Sequence, residues 1–491
     1  MNTHNVSADT HELPHPPEQE KPRKALFANR PKAYPKWIVG RFRRMKWAVM
    51  ALLLGLYYFA PWLRWDRGPN APDQAILVDM PGRRLYFFFL EIWPQEVYYL
   101  TGVLILAAVG LFLATSLLGR VWCGFTCPQT VWTDLFLMVE RFVEGDRAQR
   151  IRLDNGPLTF KKITKKITKH LIWLAIAVAT GGAWIFYFND APTLMGDILR
   201  FDIQPTVLFF VGLFTATTYL LAGIVREQVC VYMCPWPRFQ AAMLDEHSTT
   251  VTYQAWRGEQ RGPKRKTESW EGRGDCIDCN QCVQVCPTGI DIRDGQQIDC
   301  IGCGLCIDAC NEVMVKIGRP GELITFDTQT NQEARAAGQP TGGLHIFRPR
   351  TLIYLAVLAI VGGIMLFSLM SRSDTDLSVQ RDRVPLFVQL GNGRIQNSYT
   401  LKILNKEREA RTYILSMPGL PQAELSIVGH EDEAGESTSL PIKSDAVSSY
   451  RLHVRVPREA LQGASTPVTL LLRDETHEAS YSIDTVFLGP K

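Results

Sequence analysis

The sequence of 491 residues predicts a multi-domain membrane protein: an α-helical transmembrane bundle of five spans, a cysteine-rich insert between the fourth and fifth spans, and an all-β sandwich at the C-terminal end. Three observations predict it. Five windows each hold about 20 predominantly apolar residues, enough to cross a hydrocarbon core of about 30 Å. Eight of the twelve cysteines repeat a tight spacing within one stretch. Beyond Ser371, short apolar or alternating runs are separated by Gly, Pro and Asn, with neither Cys nor Trp.

Residues 1–35 are rich in Pro, His, Glu and Lys without periodicity, and a disordered cytoplasmic tail is expected there. His4, His11 and His15 read better as solvated residues than as metal ligands. Residues 36–250 are expected to hold four spans, from about Trp47 to Leu63, Val97 to Leu118, Leu171 to Phe188 and Thr206 to Val225. The first span follows more than forty mostly polar residues without a small-residue cleavage site, so it reads as an anchor rather than a cleavable signal. Between spans one and two, LYFFFLEIWP is too short to cross and is expected in the bilayer interface, where aromatic rings are favoured. After Pro128, Trp132, Leu135, Phe136, Val139 and Phe142 recur at helical spacing, with Asp134, Glu140 and Arg141 at polar positions; an interfacial helix is predicted. The run KKITKKITK from Lys161 to Lys169 suits anionic lipid headgroups, at about 1 kcal/mol per lysine near the surface, and nucleic acid is not an expected partner.

Residues 251–350 form the expected insert, 351–370 a fifth span (about Leu352 to Met370), and 371–491 the β-sandwich. The strand patterns include TLKILNK, TYILSMPGL, YRLHVRVP and PVTLLLRD. Immunoglobulin-like describes its architecture only, because the Cys and Trp of the antibody core are missing.

Lys and Arg collect before the first span (Lys36, Arg41, Arg43, Arg44, Lys46), in the second-to-third loop, and around Arg257 to Lys266, whereas the loop from Asn189 to Pro205 has only Arg200. Positive charge near span ends is retained in the cytoplasm. The N-terminal end and both basic loops are therefore assigned to the cytoplasm of a multi-pass protein in the bacterial inner membrane, and the C-terminal domain to the periplasm. Cysteine placement agrees: every Cys lies between Cys123 and Cys310, on the side assigned to a reducing compartment.

The eight cysteines read CIDCNQCVQVCP from Cys276 and CIGCGLCIDAC from Cys300. This is CxxCxxCxxxC twice over, the spacing in which bacterial ferredoxins wrap three thiolates around one cluster while the fourth reaches the other. Two [4Fe-4S] clusters are predicted, one on Cys276, Cys279, Cys282 and Cys310, the second on Cys300, Cys303, Cys306 and Cys286. Zinc sites use ligand pairs a dozen or more residues apart, and disulfide scaffolds do not repeat this spacing. Gly289, Gly302 and Gly304 suit a backbone that approaches inorganic sulfide. The second run ends Cys310-Asn311 rather than Cys-Pro, a local departure.

The other four cysteines form two similar pairs, RVWCGFTCPQ (Cys123, Cys127) and EQVCVYMCPW (Cys230, Cys234), each after a span. Positions i and i+4 share a helix face, so each pair can turn two sulfurs inward. Converging, they make a soft-metal site that favours Cu(I) over Cu(II). A third cluster, a redox dithiol pair and buried packing cysteines stay open as alternatives. No CxxCH, no GxGxxG after a strand and no facing histidine pair points to haem or a dinucleotide. His170, His247 and His345 are lone histidines.

Two span-linked CxxxCP motifs, a dicluster insert, a fifth span and an exported β-domain together resemble the CcoG family, also called FixG or RdxA, the cytochrome c oxidase accessory proteins. The resemblance covers nearly everything after the tail. It implies cluster ligands at the eight positions above, a copper-binding catalytic role for Cys123, Cys127, Cys230 and Cys234, and reduction of Cu(II) to Cu(I) during assembly of cbb3-type oxidase. Membrane lipid, copper ion, a separate electron donor, and oxidase subunits or copper transporter and chaperone proteins are the partners implied, with homo-oligomerisation open. Two other functions fit the same motifs: a quinol-oxidising polyferredoxin subunit feeding a periplasmic reductase, and a non-catalytic oxidase assembly scaffold.

Overall fold

The described chain starts in an extended strap that ties the first helix to the insert. A computed structural model describes residues 32–490 except 69–70, 266, 344, 462 and 476–478. The expected tail therefore lies outside the described residues up to position 31, with His4, His11 and His15. Its last residues are held: Tyr34 Oη donates to Asp154 at 2.7 Å, Arg150 donates to the Pro35 carbonyl at 2.5 Å, and the Lys36 amide donates to the Gln284 carbonyl at 2.8 Å.

The helices are α1 (Arg41–Phe59), α2 (Tyr98–Leu118), α3 (Pro128–Glu144), α4 (Arg147–Asn155), α5 (Phe160–Ile185), α6 (Ala191–Arg200), α7 (Pro205–Thr218), α8 (Trp236–Met243), α9 (Ala255–Gly258), α10 (Gln281–Val285), α11 (Leu305–Lys316), α12 (Gln329–Ala336) and α13 (Pro349–Met370). Among the described residues, three helical stretches are long and apolar enough to cross a membrane: Pro94–Leu118, Pro205–Val225 and Pro349–Met370. These are three of the five spans expected. The first and third expected spans fall on α1 and α5, but α1 opens RFRRMK and α5 opens FKKITKKITKH. Their first turns are charged, and Arg43, Lys46 and Lys169 are buried against protein.

Strands β1 (Ile76–Asp79), β2 (Arg84–Phe87) and β3 (Leu90–Ile92) form an antiparallel sheet. The aromatic run expected in the bilayer interface is thus a hairpin, because alternation sends Tyr86 inward while Phe87 stays exposed. Strands β4 (Thr250–Tyr253) and β5 (Ile324–Asp327) pair and close the insert between them. After α13 come β6 (Thr375–Arg381), β7 (Val388–Gln389), β8 (Arg394–Asn405), β9 (Arg411–Ser416), β10 (Glu424–Ile427), β11 (His430–Gly435), β12 (Ser437–Ile442), β13 (Ala446–Pro457), β14 (Ser465–Asp474) and β15 (Ser480–Leu488). One sheet runs β11-β10-β13-β8-β6 with β7 on β8, the other β12-β9-β14-β15. Period-two alternation buries Ile395, Tyr399, Leu401 and Ile403 of β8 against Leu415, Leu470, Leu472 and Phe487 of the facing sheet. Each such side chain contributes about 1.5–3 kcal/mol through burial.

The sandwich is held to the segment before α2 by charge. Buried Glu96 accepts from Arg372 at 2.7 and 2.8 Å and from Lys406 at 2.7 Å, while Arg84 donates to Asp445 at 2.7 Å.

Candidate metal centres

Of the eight thiols of the insert, Cys282 lies on α10, Cys306 and Cys310 lie on α11, and the other five sit on loops. Gly289, Gly302 and Gly304 all take positive φ, as tight turns beside a cofactor require. Cys286, Cys300, Cys303 and Cys306 line one cavity with Ile290, Ile292 and Ile301, and Cys282 reaches the same cavity from the other run. The charges that bear on Cys310 are those of Cys282, Cys276 and Cys279. Cys310 of the second run thus lies near Cys276, Cys279 and Cys282 of the first, and Cys286 of the first run lines the cavity of Cys300, Cys303 and Cys306. Cys279 is exposed, whereas Cys276, Cys282, Cys303 and Cys310 are buried.

Burial pushes the Cys300 and Cys310 thiols up to about 12, Cys282 up to about 11, and Cys303 and Cys306 upward as well. Such thiols ionise readily only beside a strong cation, and iron supplies one. The donor set, enclosure and backbone fit [4Fe-4S] clusters.

The two CxxxCP pairs depart from the expected α-helix. Residues Trp122–Thr126 and Val229–Met233 are π-helical, and the Cys127 and Cys234 amides donate to the Trp122 and Val229 carbonyls at 2.8 Å. Such wide turns recur at functional sites, and here each ends at the proline after its second cysteine. Cross-links then bring the pairs together. Gln129 Nε2 donates to the Leu221 and Arg226 carbonyls at 2.8 and 3.2 Å, and Arg226 donates to Glu140 at 2.9 Å. The charges of Cys127, Cys230 and Cys234 all bear on Cys123, so the two pairs lie near one another. Burial pushes both Cys123 and Cys230 up to about 12. Among the described residues no three Cys, His, Asp or Glu side chains group closely enough to hold a single metal ion.

This site abuts the insert. Cys123 packs with Ile38, Val285, Ile301 and Cys303, and its Sγ donates to Gln240 Oε1 at 3.2 Å. Gly124 lies so near the cluster loop that a Cβ would come within 2.8 Å of the Gly302 carbonyl oxygen. Arg120 donates to the carbonyls of Cys300 at 2.8 Å and Pro237 at 2.9 Å, and also to that of Ile298. Asp308, inside the second cysteine run, accepts from the Phe42 and Arg43 amides at 3.3 and 2.9 Å and caps α1. Gly40 is required by this approach, because a Cβ would fall 2.2 Å from Asp308 Cγ.

Helix α3 differs from the interfacial helix expected. Asp134 and Glu140 are buried, because α3 is covered by the strap, α1 and α5, whose cations point at it. Glu140 meets Arg150 at 3.1 Å, Arg226 at 2.9 Å and Lys169 at 3.7 Å. Burial alone would raise its carboxyl; Arg226, Arg150 and Lys169 outweigh that and hold it at about 2. Lys166 and Lys169 of the basic run both turn inward to Glu144 at 2.9 Å, while Lys161 stays exposed. His170 Nδ1 bonds Tyr219 Oη at 2.8 Å, and the His247 and His345 rings stand 4.9 Å apart. Lys46, Arg120, Gln240 and Asp308 were not singled out from the sequence as parts of the site. Only the placement of Arg120 three residues before Cys123 hinted at a role.

Comparison with known proteins agrees with this geometry. Residues 225–329 match the family profile of a 4Fe-4S dicluster domain, 100–143 that of a 4Fe-4S binding domain, and 365–490 that of the IG-like fold at the C-terminal of FixG. The nitrogen fixation protein FixG of Rhizobium meliloti is 48% identical over 93% of this chain and 92% of its own. Protein RdxB of Cereibacter sphaeroides is 48% identical over 95% and 98%, and protein RdxA of the same organism 46% identical over 91% and 95%. A crystal structure of a FixG-related protein from Vibrio parahaemolyticus aligns with 24% of this chain and 100% of its own, at 22% identity and a TM-score of 0.21. The sequence and the family matches establish an iron–sulfur electron-transfer protein with apolar helices suited to a membrane.

Proposed function

The chain belongs to the FixG/RdxA family, and on that premise we propose that it is a membrane-bound oxidoreductase that reduces Cu(II) to Cu(I) for assembly of cbb3-type cytochrome c oxidase. The observation that carries this reading is the contact between the two thiol sites, with Cys123 packed in one apolar cluster with Cys303. Cys276, Cys279, Cys282 and Cys310 hold one cluster, and Cys286, Cys300, Cys303 and Cys306 the other; bound there, the clusters supply one-electron storage and transfer. Exposed Cys279 marks the side open to a soluble donor. Ile290, Ile292 and Ile301 keep water from the inner site. Cys123, Cys127, Cys230 and Cys234 offer soft donors that stabilise Cu(I), which favours adding one electron to each Cu(II) substrate ion.

In this reading residues 36–250 and 351–370 cross the membrane five times, α1 and α5 using their basic first turns as cytoplasmic anchors. The insert at 251–350 then faces the cytoplasm and the sandwich at 371–491 the periplasm. There the sandwich meets oxidase subunits or a copper chaperone.

A second reading is favoured by the match of a 4Fe-4S binding profile to the segment holding Cys123 and Cys127: the four CxxxCP sulfurs hold a third iron–sulfur unit. Anaerobic purification with metal analysis, followed by electron paramagnetic resonance during Cu(II) addition, tests both. The copper reading expects cluster signals to bleach as Cu(I) forms, with copper binding lost when the four CxxxCP cysteines become Ala. Unchanged copper binding and reduction in that variant removes the copper site; loss of iron instead supports the third unit.

A further inference from the structure

The two cysteine sets of the insert live in different electrostatic surroundings. Around the outer set (Cys276, Cys279, Cys282, Cys310) the nearby arginines Arg293, Arg257 and Arg319 have carboxylates, while the Lys36 ammonium donates to Gln281 Oε1 at 2.8 Å. Arg293 binds Asp291 at 2.5 Å and also Asp278, while Arg257, at 3.0 Å, shares Asp275 with Arg319. Around the inner set (Cys286, Cys300, Cys303, Cys306) stand two buried cations, Arg120 and Lys46, with Asp299 bearing on Arg120 and Asp134 on Cys303. Arg120, 8% exposed, gives its hydrogen bonds to the carbonyls of Cys300, Pro237 and Ile298 rather than to a carboxylate. Lys46, 4% exposed on α1, stands 3.9 Å from Asp134, beyond hydrogen-bonding distance, and that carboxylate already accepts from Arg43 at 2.9 Å. Lys46 lines a small cavity with Cys230, Pro287, Thr288 and Ile301, between the inner set and the CxxxCP thiols. Among the charges that bear on Cys303, that of Lys46 favours the thiolate, while Cys286 and Asp134 oppose it.

A cation beside an iron–sulfur site favours the reduced state, which carries one more negative charge, and burial keeps the attraction from being screened. We propose that Lys46 and Arg120 hold the inner site at a higher reduction potential than the outer one, so that an electron entering at the exposed end comes to rest beside the CxxxCP thiols. The step is one electron: the outer site is oxidised, the inner site reduced, and no proton or ligand moves. Lys46 is a positioning residue for that electron. The inference rests on the cluster ligation proposed above.

The test is a reductive titration of the full-length protein in detergent, purified anaerobically, with dithionite as electron source and electron paramagnetic resonance as readout. Wild type is expected to show two separate midpoints. Lys46→Met should lower only the higher one, reducing the ratio of reduced to oxidised inner site by about tenfold at fixed potential, which is about 59 mV for a one-electron couple. Lys46→Arg should restore it, and Asp134→Asn should move it upward. Iron-replete Lys46→Met with neither midpoint moved, or with only the lower one moved, overturns the inference and leaves the cluster reading intact. Protein without iron sinks both. If Lys46→Met loses its iron, Asp134→Asn decides, an upward shift supporting the inference and an unmoved midpoint overturning it.

Discussion

The thiols of the insert and those of the CxxxCP pairs are built by opposite means. The insert draws all eight from one stretch between Cys276 and Cys310, so loops and two short helices suffice to aim them. The CxxxCP pairs come from the ends of α2 and the α7 span, far apart in the chain. They meet only because α3, with Gln129 and Glu140, bridges them. The lesson is that the first site is encoded by local spacing and survives loss of distant contacts, whereas the second is a product of helix packing.

The largest effect expected is from Cys303→Ala. It removes one ligand of the inner set, so roughly half the bound iron and nearly all copper-reducing activity are lost, as iron analysis and a Cu(I) chelator assay would read. The comparison breaks if the same variant also abolishes copper binding at the CxxxCP site. Next comes Glu140→Gln, which leaves Arg150, Arg226 and Lys169 facing a neutral group; removing one partner of a buried charge cluster costs about 3–5 kcal/mol. Thermal unfolding should show the loss while the cluster spectrum of the insert is retained in the folded fraction.

The same carboxyl predicts a pH dependence. Its folded value of about 2 lies below the ordinary 4.5, so its stabilisation is complete above 4.5 and is lost as pH falls from there toward 2. Unfolding measured across that window should be flatter in Glu140→Gln than in wild type.

Gly124→Ala sharpens the comparison further. The added Cβ meets the Gly302 carbonyl at 2.8 Å, an overpacking that costs about 1–3 kcal/mol. Both sites should keep their metals while electron delivery between them slows, read by stopped-flow reoxidation of the insert with Cu(II). The smallest effect is expected from Asp308→Ala, which removes the α1 cap at about 1 kcal/mol and should leave iron content unchanged in a thermal shift assay.

How much could be read beforehand varies with the range of the interaction. The dicluster character of the insert and the strands of the sandwich were legible, since the cysteine spacing is local and TLKILN and YRLHVRVP alternate as β8 and β13 do. The hairpin at Leu85 was not read from the aromatic run because hydrophobicity alone does not reveal strand pairing, and α3 was misjudged because a polar residue at helical spacing looks the same whether water or a buried arginine faces it.

By itself the amino-acid order determined which metal chemistry the chain supports, where apolar stretches lie, and that the last domain is β: ligand spacing and side-chain period act over a few residues and need no knowledge of neighbours. Only the tertiary structure decided that the two CxxxCP pairs lie near one another, that they touch the inner rather than the outer cysteine set, and that Lys46 and Arg120 are buried there. Those outcomes depend on helices from distant parts of the chain packing together, and the energy of a buried charge is set by what surrounds it in space rather than by what precedes it in sequence.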